Sequence, residues 1–287
     1  MKSVFIVGCG DIGKRIAGLC GEKNVAVRGL VRSVESTKHL QQAGIESVRV
    51  DLAQTDGLAS LPTTAVTVFY LAPPPGEGES DPLIRRFLAA ISTHALPEKL
   101  VLLSTTAVYG DCQGEWINET RPVNPQTARG RRRLDAEQAV QEWSRSTGVP
   151  VVILRVGGIY GSGRLPIERI EKGLPILHEA ESPYTNRIHQ DDLAQVCIAA
   201  AERGKPGEVY NVSDGQPGTM SRYFKDIAQA YHLPMPPEIS LEEAQQVMSA
   251  GMLSYLNESR RLDNCKMVEE LGVVLRYVNL EMGLVKK

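Results

Sequence analysis

Long apolar runs are missing from this 287-residue chain: no segment approaches the roughly 18 consecutive apolar residues that a membrane-spanning helix needs. Paired cysteines are missing too. The five present (Cys9, Cys20, Cys112, Cys197 and Cys265) are odd in number, widely spaced and free of any CxxC pair, and no histidines cluster. That pattern excludes a disulfide framework and a zinc site and suits thiols kept reduced in a cytosol. An excess of charge is lacking as well: 32 Lys and Arg stand against 34 Asp and Glu, a net charge of −2. With no global field, neither nucleic acid nor an anionic membrane is expected as a partner. There is no internal repeat and no low-complexity tract. The N-terminus shows no basic stretch followed by an apolar one, so no secretory signal is expected and a soluble, cytoplasmic protein is.

At 42% hydrophobic residues, the chain can bury one large core, or one core with a smaller appended lobe. Its first apolar run, Val4-Phe5-Ile6-Val7, leads directly into Gly8-Cys9-Gly10-Asp11-Ile12-Gly13 and then into a helical pattern. This is how a strand meets a helix around a pyrophosphate. Gly8 makes the tight turn, Gly10 lets backbone amides approach the phosphates, and Gly13 lets the helix pack close to the strand; Asp11 and Ile12 open that helix. A second strand-like run at 25–31 follows after a helix-length gap, the context in which such a glycine pattern signals a dinucleotide coenzyme.

Strand-like runs recur at 4–7, 25–31, 47–50, 65–71, 100–103 and 149–154. Helical patterns lie at 12–22, 36–43, 81–94, 128–147 and 191–203, with Gly44, Gly148 and Gly204 placed as left-handed helix stops. Alternating strands and helices, with nearly continuous apolar strands, predict an α/β fold with a doubly wound parallel sheet covered on both faces. After about residue 156 glycine and proline become denser, which marks a smaller C-terminal lobe expected to bind substrate. The expected division is residues 1–156 as the coenzyme domain, with 188–212 returning to its sheet, and 157–187 and 213–287 as the lobe. The breaker-rich loop from Pro73 to Gly78 sits at a strand's C-terminal end, where doubly wound sheets bind ligands.

Past the second strand, where an acid normally holds the ribose 2′-hydroxyl, the chain reads Arg32-Ser33. A guanidinium pairs with phosphate through two parallel hydrogen bonds, so NADP is expected. The alternative is NAD, with Arg32 a solvated strand-end charge and Glu35 on the ribose. Asp51-Leu52 ends the third strand, and Asp51 serves either as an acceptor for adenine or as a turn or cap residue.

The chain resembles the short-chain dehydrogenase/reductases of extended or atypical type, the NAD-dependent epimerase/dehydratase-like group. The resemblance spans nearly the whole chain. It rests on the 8–13 glycine pattern, Asp51-Leu52, and Tyr70-Leu71-Ala72 with Pro73 following. It continues in Ser104-Thr105-Thr106-Ala107-Val108-Tyr109-Gly110, Leu154-Arg155-Val156-Gly157-Gly158-Ile159-Tyr160-Gly161, Ile188-His189-Gln190-Asp191-Asp192 and Tyr210-Asn211-Val212-Ser213-Asp214-Gly215. It implies a Rossmann fold, a small-molecule substrate that is a polar carbonyl or sugar-nucleotide-like compound, oxidoreductase or epimerase chemistry, and a homodimer. Thr105 matches the family's hydroxyl beside the substrate carbonyl.

The family's catalytic tyrosine and lysine, four residues apart, are replaced: Thr127 stands at the tyrosine position and Arg131 at the lysine position. A phenol ionises near pH 10 and a neighbouring cation can bring it lower, whereas an aliphatic hydroxyl is a poor general acid or base and arginine does not relay protons. Thr127 therefore reads as a helix N-cap, and Arg131 as a hydrogen-bonding hold on the nicotinamide ribose. The substitute phenol is Tyr109 or Tyr160, or a water takes the step, unless these are corner residues. His189 is a further proton carrier in principle, with Asp191 read as the cap of the following helix. Arg129, Arg131, Arg132 and Arg133, followed by Asp135, Glu137 and Glu142 on one helix, read as a solvated mixed face, from which one or two arginines could meet an anionic substrate. Loss of the tyrosine and lysine also permits a second class of function, an NADP-binding redox sensor or regulatory protein without turnover.

Overall fold

Strands that are apolar on both sides need cover on both faces, and the computed structural model, which describes residues 1–54 and 56–284, supplies it. Seven strands form one parallel sheet: β1 (Ser3–Val7), β2 (Ala26–Val31), β3 (Glu46–Arg49), β4 (Thr67–Tyr70), β5 (Lys99–Thr105), β6 (Val151–Val156) and β7 (Val209–Val212). Their order is β7-β6-β5-β4-β1-β2-β3. Every residue of β4 and β6 is buried, which is why neither shows a polar alternation. The helices are α1 (Asp11–Glu22), α2 (Val34–Gln42), α3 (Pro82–Ala90), α4 (Ala128–Thr147) and α5 (Gln190–Arg203). Ile16 of α1 and Leu193 of α5 pack with Val4 and Ile6 on one face. Ile84 and Phe87 of α3 and Val140 of α4 pack with Phe5 and Val7 on the other. The strand order reverses between β1 and β4, so a crevice opens there at the C-terminal ends of the strands, the usual ligand position of such sheets.

Several boundaries differ from expectation for local reasons. The run at 65–71 shortens to Thr67–Tyr70 because Ala65 is held at φ +52°, a left-handed conformation no ladder accepts. Helix α2 begins two residues early because Ser33 caps it, accepting from the Ser36 N–H at 3.1 Å. Helix α3 ends at Ala90 rather than 94, since Ile91 turns extended and buries its side chain. Gly148 is left-handed at φ +76°, as expected, but Gly204 is not: its φ is −60°. Glycine is needed at 204 for space, because a Cβ there would meet the Ala200 carbonyl oxygen at 2.4 Å.

After β6 the chain builds smaller pieces. Gly158–Tyr160 pairs in parallel with Arg187–His189, and Ile176–Leu177 with Glu238–Ile239. Helix α6 (Met220–Ala230) buries Phe224 and Ile227 against Ile170 and Ile176. The C-terminal stretch returns to the segment after β5: Arg261–Leu262 pairs with Trp116–Ile117, and Leu262 packs with Val108 and Tyr109. Among the described residues no helix is long and apolar enough to cross a membrane.

Candidate functional site

The turn after β1 is shaped by three different glycine requirements. Gly8 sits at φ +84°, where a Cβ would stand 2.6 Å from the Ala72 Cα; that approach locks the turn against the end of β4. Gly13 packs against Ile6 and Cys9 at distances of 3.1 and 3.0 Å from its would-be Cβ, whereas Gly10 faces open space. No side chain caps α1, whose cap residue is Gly10. The first turn of α1 therefore offers backbone N–H groups to an anion, and the cradle fits a dinucleotide pyrophosphate. Burial pushes the Cys9 thiol up to about 12, so this cysteine is packing and not a nucleophile. Ile12 is buried in the core beside the turn.

The other residues expected to meet a coenzyme lie along the same strand ends. Arg32 is exposed at the end of β2 and forms no ion pair among the described residues. Ser33 uses its hydroxyl as the α2 cap. Asp51 accepts from the Ala53 N–H at 2.9 Å, which makes it a turn residue, and Leu52 is buried in the core. The Leu71 N–H donates to Val7 at 2.8 Å, Ala72 is buried beneath Gly8, and Pro73 is exposed.

At the C-terminal end of β5 lies a cleft of about 360 Å³ lined by Thr105, Thr106, Arg129, Arg164, Arg187, Tyr184, Tyr255, Glu258 and Arg260, among others. Thr105 caps a single 3-10 turn, accepting from the Ala107 N–H at 3.4 Å, a long bond that leaves its hydroxyl hydrogen free to donate. The neighbouring Ser104 is buried and donates to Glu137 at 2.5 Å. Arg164 joins the cleft to the glycine turn: its Nε donates to Asp11 at 2.9 Å.

Thr127 is the N-cap of α4. Its Oγ1 accepts from the Gly130 N–H at 3.3 Å and donates to Glu258 at 3.1 Å, so both capacities of the hydroxyl are used. Arg131 turns back to the Pro125 and Gln126 carbonyls and pairs with Glu79 at 2.8 Å, which ties the 73–80 loop to the start of α4.

The arginine-rich helix is a correction. It is not a solvated mixed face. Arg132 is buried and donates to the Gly78 carbonyl at 2.6 Å, Arg133 reaches the Ala72 carbonyl at 3.3 Å, and Arg129 holds Glu258 at 3.1 Å. Glu137 is buried as well, bound to Arg155 at 2.8 Å. Although burial opposes it, the bonds to Glu137 hold the Arg155 guanidinium above its ordinary value. Asp191 is a second correction: His189 is the cap of α5, its Nδ1 accepting from the Asp191 N–H at 3.2 Å, and Asp191 pairs with Arg15 instead.

The phenols are redistributed too. Tyr109 is buried and donates to Asn211 Oδ1 at 2.7 Å beneath the Arg155 guanidinium, and burial raises its pKa. Tyr160 is buried and donates to the Asn279 carbonyl at 3.0 Å; His189 is packed between it and Tyr277, with burial lowering its pKa. None of the three lines the cleft. Tyr184 and Tyr255 do, at 37% and 52% exposure. The Arg129 guanidinium lies 3.7 Å from the centre of the Tyr255 ring.

Glu258, Arg260 and Tyr255 belong to no motif of the sequence. Glu258 meets Thr127 across 131 positions, and Glu258-Ser259-Arg260-Arg261 reads locally as a solvated charged run. Only the charge density next to a strand-like Arg261–Leu262 pair offered a signal, and it names no partner.

The strand order, the uncapped glycine turn and a cleft at the end of β5 define a Rossmann-type α/β protein of the dinucleotide-binding class. Residues 4–213 match the model of the NAD dependent epimerase/dehydratase family, and the chain belongs to that family. It is 24% identical to Protein YeeZ of Escherichia coli K12 over 286 residues, 96% of this chain and 97% of that one. A functionally unknown conserved protein from Silicibacter pomeroyi superposes with a TM-score of 0.84 at 28% identity, covering 99% of this chain and 97% of the other. The UDP-glucuronic acid 4-epimerase of Bacillus cereus, solved with UDP-glucuronic acid and NAD, superposes at 0.79 with 20% identity, covering 99% and 97%. At that identity the likeness is one of fold.

Proposed function

We propose that this chain binds NADP(H) at the 8–13 turn and moves hydride between the coenzyme and a small polar carbonyl or hydroxyl substrate held in the β5 cleft, as an oxidoreductase or epimerase. The observation that carries this reading is Arg164, a cleft residue whose guanidinium bonds Asp11 of the coenzyme turn at 2.9 Å, so the two sites are continuous. The coenzyme, when bound, supplies or accepts the hydride. Thr105 donates to the substrate oxygen, and Tyr255 gives or takes the proton from across the cleft, its ring steadied by Arg129. Arg131 and Glu79 hold the loop at the ribose side. The finer preference for NADP rests on Arg32, exposed at the end of β2 and free to meet a 2′-phosphate.

Two measurements test this. NADPH is expected to bind more tightly than NADH, with Arg32→Ala narrowing the gap by about tenfold, or ~1.4 kcal/mol; equal affinities in the native protein would refute the NADP assignment. In single-turnover hydride transfer from bound NADPH across a panel of carbonyl compounds, Tyr255→Phe is expected to slow transfer by roughly 10²-fold or more while leaving coenzyme affinity unchanged. Tight coenzyme binding with no transfer to any compound favours a redox sensor, a reading supported by one observation: Thr127, at the family's tyrosine position, has its hydroxyl fully spent on Gly130 and Glu258.

A further inference from the structure

The cleft is lined by four guanidiniums, and three of them are held in ion pairs. Arg129 and Arg260 share Glu258 at 3.1 and 2.9 Å, and Arg164 holds Asp11 at 2.9 Å. Arg187 is the exception. Among the described residues no carboxylate lies within ion-pair distance of it; its Nη1 makes one long bond of 3.3 Å to the Asn186 carbonyl, and its buried Nε has no partner. The ring of Tyr223 covers one face of the guanidinium at 4.1 Å. Gly158 makes room for it, since a Cβ at that position would stand 2.5 Å from Arg187 Nη1. Asp214, the acid that acts on it from nearby, is a poor counter-charge. Burial pushes that carboxyl up to about 7, and its Oδ1 is taken by the Gln216 N–H at 2.9 Å.

A half-buried cation without a partner is unfavourable, and arginine does not escape the cost by losing its proton. Arg187 lies where the cleft meets a second cavity of about 260 Å³ bounded by Thr185, Asp214, Gln216, Thr219, Asp226 and Glu281, so its guanidinium borders both cavities. We infer that Arg187 is an anchor for a single oxyanion of the substrate, a carboxylate or a phosphate monoester, and that the cleft is not built for the linked diphosphate of a sugar nucleotide. This rests on the reading of the β5 cleft as a substrate site. The restriction to one anionic group follows from the ion pairing: Arg187 alone among the guanidiniums lining the cleft and the second cavity holds no carboxylate among the described residues, whereas Arg129 and Arg260 share Glu258, Arg164 holds Asp11 and Arg222 is paired with Asp226 at 2.7 Å. A cleft of about 360 Å³ also stands near the lower end of the usual range for small-molecule pockets, about 300–1,000 Å³.

The test is equilibrium binding to the coenzyme-free full-length protein at fixed ionic strength, by calorimetry, with inorganic phosphate, malonate and UDP-glucose as separate probes. Phosphate or malonate is expected to bind, and which of the two binds more tightly tells phosphate monoester from carboxylate. In Arg187→Gln that affinity is expected to fall about tenfold or more, and in Arg187→Lys, which keeps the charge but loses the fork, about threefold or more. UDP-glucose is expected to bind no more than about tenfold more tightly than the better small anion. The proposal is overturned if neither small anion binds, if their affinities are unchanged in the Arg187→Lys and Arg187→Gln proteins, or if UDP-glucose binds far more tightly than both in an Arg187-dependent way. Because no hydride transfer is read, a failure of the oxidoreductase reading leaves these affinities untouched, and a failure here leaves that reading standing.

Discussion

Replacing Glu258 with glutamine is expected to lower the free energy of unfolding by about 3–5 kcal/mol, the usual cost of leaving buried charges without their partner. The side chain is only 2% exposed and joins the start of α4, through Thr127 and Arg129 of its first turn, to Arg260 of the returning C-terminal stretch. Arg260 also donates to the Gly110 carbonyl at 2.5 Å, so the carboxylate holds the C-terminal stretch against the corner after β5. Two guanidiniums converge on it, at 23% and 9% exposure, and without the negative charge they repel across a poorly solvated gap. The exposed pair Lys172–Glu168, at 62% and 80%, sets the scale from the other side: Glu168→Gln is expected to change stability by about 0.5 kcal/mol or less. Urea denaturation of both variants makes the comparison. A loss under about 1 kcal/mol in Glu258→Gln would show that the cluster is solvated in solution and does not tie the C-terminal stretch to α4.

Why that cluster escaped the sequence while the glycine turn did not is a matter of distance along the chain. Gly8, Gly10 and Gly13 act within one strand, one turn and one helix, so their spacing carries their geometry. Helix α4 was legible to the residue because both its ends are local: a threonine cap at 127 and a left-handed glycine at 148. The parallel sheet was legible because β1, β4 and β6 carry almost no polar residue to place at a surface. The arginines of α4 failed the same kind of reading. Alternating charge on a helix normally means solvent, but here the 73–80 loop and the C-terminal stretch fold over that face and supply carbonyls and carboxylates that no local pattern announces. Tyr109 takes the corner-residue alternative for the opposite reason. Its motif marks the mouth of the site, yet its ring is turned into the core and its hydroxyl reaches Asn211, 102 positions on. The phenols that do line the cleft come from segments with no motif of their own.

The buried pair Glu137–Arg155 carries the other large expected effect. Its two side chains are 2% and 7% exposed; Glu137 takes two bonds from Arg155 Nε, at 3.2 and 3.3 Å, a third from Nη2 at 2.8 Å, and one from Ser104. Glu137→Leu alone strands the Arg155 guanidinium over the Tyr109 ring and orphans the Ser104 hydroxyl, for an expected loss of about 3–5 kcal/mol. Arg155→Leu alone strands the carboxylate at a similar cost. The double variant removes both charges together, and since the desolvation penalty of a buried pair rivals its attraction, it is expected to recover most of that loss. The coupling energy from the double-mutant cycle should therefore be about 5 kcal/mol or more, in place of the few tenths expected of independent sites. Additive losses in the cycle would mean that each residue acts through packing and not through the other. The cycle also separates stability from function, because Ser104 precedes Thr105 at the mouth of the cleft. A double variant as stable as the native protein but slower in hydride transfer, with coenzyme affinity unchanged, would mean that the pair's charge serves to hold the end of β5 in register for Thr105, a role that leucines fill by volume but not by direction.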